Sequence, residues 1–142
     1  MLVRERQEVQ EVSRRLEALT DAELVAFVPS VDLEVSARFY GEVLGLRPVE
    51  ASEFANAYEV SGTQLRVTRV ARRAAAAYTV AGFRVADILA SIRALRGAGV
   101  EFLRHEGLEQ DEQGVWLSPS GSRIAWFCDP DGNVLSLQQG PS

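Results

Sequence analysis

The sequence contains no lysine, one histidine and one cysteine. All fifteen basic residues are arginines, which excludes catalysis through a Schiff base on a side-chain amine. The single histidine, His105, cannot provide a metal site that needs two or three imidazoles from one chain. The single cysteine, Cys128, excludes an intrachain disulfide and favours a reducing, cytoplasmic location.

Long apolar runs and excess positive charge are also lacking. No segment approaches the roughly 20 apolar residues that cross a bilayer, and the mixed charges of the N-terminus are unlike those of a signal sequence. The net charge is −5, whereas nucleic acids and anionic membranes attract basic surfaces. We therefore expect a soluble protein whose partners include neither nucleic acid nor membrane.

The 142 residues, 46% of them hydrophobic, are enough for one compact domain. Residues 1–21 precede it as an amphipathic extension. Between residues 3 and 19, apolar side chains recur at spacings of three and four, which predicts a helix with one apolar face. That face could pack on the same chain or on a partner subunit. The residues that form it are Val9, Val12, Leu16 and Leu19.

Residues 22–142 are predicted to form one domain in which a strand, a helix and three strands occur twice. An aspartate caps each predicted helix and a glycine ends it. An internal repeat with helices and largely antiparallel strands indicates an α+β fold. The first repeat covers residues 23–70, residues 71–77 form the linker, and the second repeat covers residues 78–139. Strand-like segments are predicted at 23–29, 46–50, 54–60, 63–70, 78–85, 100–104, 113–118, 121–128 and 133–138, which gives the second repeat one segment more than the first.

Three stretches, 31–46, 82–88 and 125–135, carry a family resemblance. The last contains Asp-Pro-Asp-Gly-Asn at 129–133, in which Pro fixes φ and Gly supplies the positive φ of a tight turn. Together they resemble the vicinal oxygen chelate superfamily of glyoxalases, bleomycin-resistance proteins and extradiol dioxygenases. The resemblance covers roughly residues 23–139. It implies two βαβββ repeats forming a curved, cleft-enclosing mixed sheet, and a homodimer.

The resemblance also implies four metal-ligand positions, two for His and two for Glu. In this sequence those positions hold Val25, Arg66, Val80 and Ser136. Valine has no donor atom and arginine is already cationic, so the set is unsuited to a divalent metal. We therefore expect no metal and no other cofactor. The family's use of a metal as a Lewis acid would then be lost.

Alternation along the strands, together with the resemblance, indicates which side chains face the cleft. The mixture is apolar and aromatic and suits a small organic ligand. Arg66 could anchor an anion or carbonyl group, or it could pair with a nearby glutamate. Trp126 could stack on a flat ligand or simply fill the core. The predicted lining is Phe27, Asn56, Arg66, Trp126 and Ser136.

Three further residues are interpreted as structural. His105 lies in an acidic loop that is expected to be solvated, and a surface position is favoured over an acid or base role. Cys128 has no adjacent His or Lys, so a core thiol is favoured over a nucleophile. Tyr40 is expected to pack on the sheet.

The sequence therefore favours a metal-independent small-molecule binding protein of the glyoxalase/bleomycin-resistance type that holds a hydrophobic or aromatic ligand. The alternative is a glyoxalase-like lyase or isomerase, either metal-free or with ligands that the motifs do not reveal. Whether the protein is an enzyme stays open, and no catalytic residue is assigned. Binding is favoured because the sequence shows no nucleophile–base pair.

Overall fold

The computed structural model describes residues 17–73 and 76–141. The predicted N-terminal helix lies outside these residues, apart from a short 3-10 turn at Glu17–Leu19. No helix among the described residues is long and apolar enough to cross a membrane. The first repeat consists of β1 (Val25–Ser30), α1 (Leu33–Ala37, continued by a π-helical turn Arg38–Val43), β2 (Arg47–Ala51), β3 (Ala55–Val60) and β4 (Thr63–Arg69). The second consists of β5 (Thr79–Arg84), α2 (Ile88–Gly97), β6 (Trp116–Leu117), β7 (Arg123–Cys128) and β8 (Val134–Gln139).

Both helices begin at the predicted aspartates. The Asp32 carboxylate accepts hydrogen bonds from the backbone N–H groups two and three residues ahead, at 3.1 and 3.2 Å. The Asp87 carboxylate accepts one from three residues ahead at 3.1 Å. Gly45 and Gly99, after the helices, have φ of +71° and +93°, the left-handed conformation that glycine adopts most easily. The predicted helix limits are therefore confirmed by their caps.

Each repeat forms one four-stranded sheet. The first sheet has the order β1-β4-β3-β2 and the second the order β5-β8-β7-β6. In each sheet the pair at one edge is parallel, β1 with β4 and β5 with β8, and the other pairs are antiparallel. β1 and β5, the edge strands, lie beside each other where the sheets meet. The predicted α+β class with two βαβββ repeats is confirmed.

The outer edge of β7 differs from the prediction. Residues 100–104 contribute one bridge, between Phe102 and Phe127, instead of a full strand. The predicted strand 113–118 is reduced to the two residues of β6. The physical reason is that two separate segments share this edge: Leu103 N–H donates to the Trp126 carbonyl at 2.8 Å, and β6 pairs with the first residues of β7. A loop that connects these segments leaves the edge between them.

Both sheets turn their helix-bearing sides to one shared core. Phe39 of the first repeat contacts Phe127 of the second, with ring centroids 6.3 Å apart. Both helices contribute side chains to this core, and the other face of each sheet points away from it. The buried side chains of this core come from both repeats: Val28, Leu33, Phe39, Tyr40, Tyr58, Leu65, Val67, Ile88, Ile92, Leu95, Val115, Ala125, Phe127, Leu135 and Leu137.

The Asp129–Asn133 turn connects the two repeats through buried and partly buried polar contacts. The Asp129 carboxylate accepts a hydrogen bond from the Tyr40 hydroxyl at 2.6 Å. The Asn133 amide donates to the Pro29 carbonyl at 2.8 Å. The Asp131 carboxylate accepts from Val31 N–H at 2.9 Å. The motif is therefore more than a tight turn, because it holds the end of β1 and the helix that follows.

Tyr40 should make folding stability depend on alkaline pH. Burial, followed by the neighbouring Asp129 carboxylate, raises the pKa of Tyr40 above its usual value of 10.0. The Tyr40 contribution is therefore complete below the unfolded-state pKa of about 10 and is lost as the pH rises above it, by up to about 1.4 kcal/mol per pH unit. Tyr40→Phe should flatten this decline in urea unfolding between pH 8 and about 11. Tyr78→Phe, at an exposed position, is the control; a slope unchanged in Tyr40→Phe would contradict the assignment.

Candidate functional site

The faces that point away from the shared core carry most of the predicted cleft residues. Phe27 of β1 lies opposite Arg66 of β4, and Trp126 of β7 lies opposite Ser136 of β8. These four residues therefore form two cross-strand pairs, one on each sheet. β5 lies between β1 and β8, so the strand order separates the first pair from the second.

Asn56 does not belong to either pair. In the β3–β4 register, Asn56 lies opposite Val67, and Ala57 is the residue opposite Arg66. Asn56 is buried, and its side-chain amide donates to the Leu33 carbonyl in α1 at 3.1 Å. In this structure strand alternation therefore turns the Asn56 side chain toward the helix and away from the outward face that carries Arg66.

Arg66 adopts the second of its two predicted roles. Its guanidinium forms an ion pair with the Glu50 carboxylate at 2.5 Å, and the Arg66 side chain is 28% exposed. Exposed pairs of this kind stabilise by about 0–1 kcal/mol. The positive charge of Arg66 is therefore largely balanced within its own sheet, which leaves it a weaker anchor for an anion than an unpaired arginine would be.

Ser136 has little room to contact a ligand. It is buried, and a Cβ placed on the neighbouring Gly82 would lie 2.5 Å from the Ser136 hydroxyl oxygen. The hydroxyl therefore covers the backbone of β5, and Gly82 is required for that close approach. Trp126, its partner across the strand pair, is only half-buried.

Trp126 is the centre of an aromatic wall that also contains Trp116 and His105. The Trp116 and Trp126 ring centroids are 6.2 Å apart with the planes tilted by 32°. The His105 ring meets the Trp126 ring edge-on, with centroids 4.7 Å apart and planes at 86°. All three side chains are half-buried, so part of each ring is open to solvent. Such rings offer large apolar faces to a flat ligand.

The loop that carries His105 is held by its own side chains. Gln110 Nε2 donates to the carbonyls of Leu103 and Gly114 at 3.0 and 2.8 Å, and its Oε1 accepts from His105 N–H at 2.7 Å. The Arg104 guanidinium donates to three carbonyls within residues 110–112. The acidic segment that the sequence suggested was a simple solvated loop is therefore fixed internally, which places the imidazole against Trp126.

Gln110→Ala should release His105 from Trp126 while leaving the sheets folded. Three side-chain hydrogen bonds end at Gln110, each worth about 1 kcal/mol. The ring-current shift that Trp126 imposes on the His105 ring protons should collapse toward the free-histidine value in NMR spectra. Gln113→Ala, in the same loop, is the control. Unchanged His105 shifts in Gln110→Ala would show that Gln110 does not position the ring.

The sequence of this chain matches a known protein family. Residues 23–137 match the family model of the Glyoxalase/Bleomycin resistance protein/Dioxygenase superfamily. The chain belongs to this superfamily. The match agrees with the resemblance drawn from the three sequence stretches, and it spans both repeats. No curated protein sequence matches the chain significantly.

Solved structures of the superfamily share the fold. A lactoylglutathione lyase from Agrobacterium tumefaciens is 16% identical, with 84% of this chain and 94% of that chain covered and a TM-score of 0.67. A bleomycin resistance determinant encoded on transposon Tn5 is 22% identical, with 83% and 97% covered and a TM-score of 0.66. A superfamily member from Sphaerobacter thermophilus is 23% identical, with 82% and 95% covered and a TM-score of 0.65. Identities of this size support a shared fold only.

The superfamily's metal does not fit the residues of this chain. Of the four positions that the resemblance assigns to metal ligands, two hold valine, one holds a hydroxyl that covers Gly82, and the fourth holds Arg66, already paired with Glu50. Within residues 17–73 and 76–141, no group of three or more His, Cys, Asp or Glu is arranged to hold a metal ion. A divalent metal needs several oxygen, nitrogen or thiolate donors, and these side chains do not supply them.

Trp116 is not among the site residues predicted from the sequence, and the sequence favours a surface position for His105 rather than a position against Trp126. The signal for Trp116 was the hairpin turn before β7: Trp116 pairs with Ile124, two residues before Trp126, so the two tryptophans share a face. Cys128 is partly buried, and burial and the adjacent Asp129 charge raise the pKa of its thiol, which disfavours the thiolate that a nucleophile needs.

Proposed function

We propose that the protein is a metal-independent small-molecule binding protein of the glyoxalase/bleomycin-resistance type, which holds a hydrophobic or aromatic ligand against Trp126, Trp116 and His105. The aromatic wall carries this proposal, since it groups three partly exposed rings on one sheet face. Aromatic groups that pack against such a wall gain about 0.5–1.5 kcal/mol per ring pair beyond simple burial.

Local charge favours a neutral or cationic ligand over an anionic one. The loop beside the wall carries four carboxylates, at Glu106, Glu109, Asp111 and Glu112, and the whole chain has a net charge of −5. Indole faces attract cations, whereas Arg66, the arginine that could anchor an anion, is paired with Glu50. A flat aromatic ring without negative charge therefore suits this surface best.

A homodimer would complete the cleft. The Phe27 side chain is 62% exposed on the outward face of the first sheet, and the aromatic wall lies on the outward face of the second. A second copy could place one face opposite the other, which would cover Phe27 and enclose a ligand. Sedimentation should then give a dimer mass that Phe27→Asp reduces to a monomer; a wild-type monomer at working concentration would contradict the dimer.

The binding proposal is tested with three probes that share a ring system and differ in charge: acridine, N-methylacridinium and acridine-9-carboxylate. We expect saturable quenching of tryptophan fluorescence without chemical change in the probe, strongest for the cation and weakest for the carboxylate. Bleomycin, suggested by the name of the Tn5 relative, is a fourth probe. Absence of saturable binding by all four would overturn the proposal.

The second candidate, a lyase or isomerase, rests on His105, the one titratable ring on the wall. In such an enzyme His105 would act as acid or base, and Arg66 from a second copy would support an oxyanion. Turnover that depends on pH and disappears in both His105→Gln and Arg66→Ala would favour it. A stoichiometric, tightly held divalent ion in the purified protein would show that the protein is not metal-independent, which would contradict both candidates.

A further inference from the structure

An apolar groove runs along the core side of the seam between the two sheets, away from the aromatic wall. It consists of two adjoining cavities of about 700 and 330 Å³, which share Val60, Phe83 and Arg84. The larger lies between the start of β1, the β3–β4 hairpin and β5, and the smaller continues toward the ends of both helices. We call these two cavities together the seam groove.

The seam groove has an apolar floor and one charged residue at its rim. Leu65, Phe127 and Leu137 are buried at its base. Arg84, exposed at the junction of the two cavities, has no carboxylate partner among residues 17–73 and 76–141. A continuous apolar surface of this size on one chain indicates that another segment or molecule packs on it.

The segment that precedes β1 contributes a residue to this groove. Leu24, the residue before β1, lines the larger cavity and is 72% exposed, and Leu19 is 74% exposed. Residues 17–24 connect the groove to the sixteen residues that precede Glu17 in the sequence. The connection in sequence between those residues and the groove is therefore short.

We propose that the N-terminal segment 1–16 covers the seam groove of its own chain as an amphipathic helix. Val9, Val12 and Leu16 would form the buried stripe, since spacings of three and four share one helix face. At 1.5 Å per residue this stripe is about 10 Å long. On such a helix Glu8, four residues before Val12, would border the stripe and would supply a carboxylate for Arg84.

Attachment through residues 17–24 favours the same chain over a second copy. A short tether raises the effective concentration of the segment at the groove to the order of millimolar. The apolar stripe is narrow, and the opposite face of the helix, which includes Arg14, would remain in water. The groove lies away from the aromatic wall, so this docking is independent of the proposed ligand site.

Cysteine crosslinking tests the placement in the full chain. In a Cys128→Ser background, Thr63→Cys marks the rim of the larger cavity and is combined with Val12→Cys on the stripe or with Arg14→Cys on the opposite face. A short bismaleimide should link Val12→Cys to Thr63→Cys within one chain, with a yield that does not change on dilution. The Arg14→Cys control should give several-fold less product.

Each other outcome overturns the proposal. Equal yields from the two positions, or no product from either, would show that the stripe does not occupy the groove. Crosslinked dimers that disappear on dilution would assign the groove to the segment of a second copy. As an independent readout, deletion of residues 1–16 should raise the fluorescence of an apolar dye several-fold, whereas deletion of residues 1–7 should not; equal dye signals would also contradict the docking.

Discussion

Replacing Asp129 with alanine should lower the free energy of unfolding by about 3–5 kcal/mol. The Asp129 carboxylate is buried and accepts four hydrogen bonds: from the Tyr40 hydroxyl, the Asn133 amide, and the backbone N–H groups of Asp131 and Asn133. Alanine leaves these donors without an acceptor in a site closed to water. Urea unfolding at neutral pH, followed by circular dichroism, measures the loss.

Asp111→Ala is the matched control for this experiment. Asp111 also accepts hydrogen bonds from two backbone N–H groups, those of Gln113 and Val115, but it lies in an exposed loop and joins only neighbouring residues. Its replacement should cost about 0.5–2 kcal/mol. An Asp129→Ala protein no less stable than Asp111→Ala would show that the contact between repeats contributes little.

The Asp129–Asn133 turn illustrates how a family motif can have a structural meaning. Its first aspartate binds Tyr40, its second binds the start of α1, and its asparagine binds the end of β1. These contacts connect residues about a hundred positions apart in sequence, so the motif fixes how the repeats sit on their common core. None of them reaches the aromatic wall, which explains why the motif indicates the fold without indicating a ligand.

Features with local causes were predictable from the sequence. Asp32 and Asp87 cap helices because their carboxylates reach backbone donors two or three residues away, and Gly45 and Gly99 end helices because of their positive φ. The repeat order follows from the same local signals. These elements depend on neighbouring residues alone, which a sequence displays directly.

Features that depend on register between strands were harder to predict. Asn56 was assigned to the cleft by aligning the two repeats, whereas the Ser61–Gly62 turn pairs Val60 with Thr63 and so brings Asn56 opposite Val67. Counting back from that turn would have placed Asn56 beside the helix. A shift of one residue exchanges the two faces of a strand, and repeat alignment across loops of unequal length does not resolve such a shift.

The aromatic wall was also not predictable from residues that are neighbours in sequence. His105 reaches Trp126 because Gln110 closes the loop on the carbonyls of Leu103 and Gly114. These contacts span a segment with no repeating pattern, whose polar composition resembles that of an ordinary solvated loop. Only the fold brings the imidazole from that loop to a tryptophan on β7.

Trp126→Ala should weaken binding of N-methylacridinium by about 30-fold or more, the effect of losing roughly 2 kcal/mol at a central aromatic contact. Trp126 is the ring that both His105 and Trp116 touch, so its removal separates the remaining two. Isothermal calorimetry measures the affinity without relying on the tryptophan signal. Trp126→Phe, which preserves a flat ring, should retain most of the affinity.

Phe54→Ala serves as the control for nonspecific adsorption, because Phe54 is an exposed aromatic residue outside the wall. Its affinity for the probe should equal that of the wild type. If Trp126→Ala remains folded by circular dichroism and binds the cation as tightly as Phe54→Ala does, the wall is not the binding surface. If Trp126→Ala alone loses affinity and Trp126→Phe recovers it, flat-face contact at this ring is what holds the ligand.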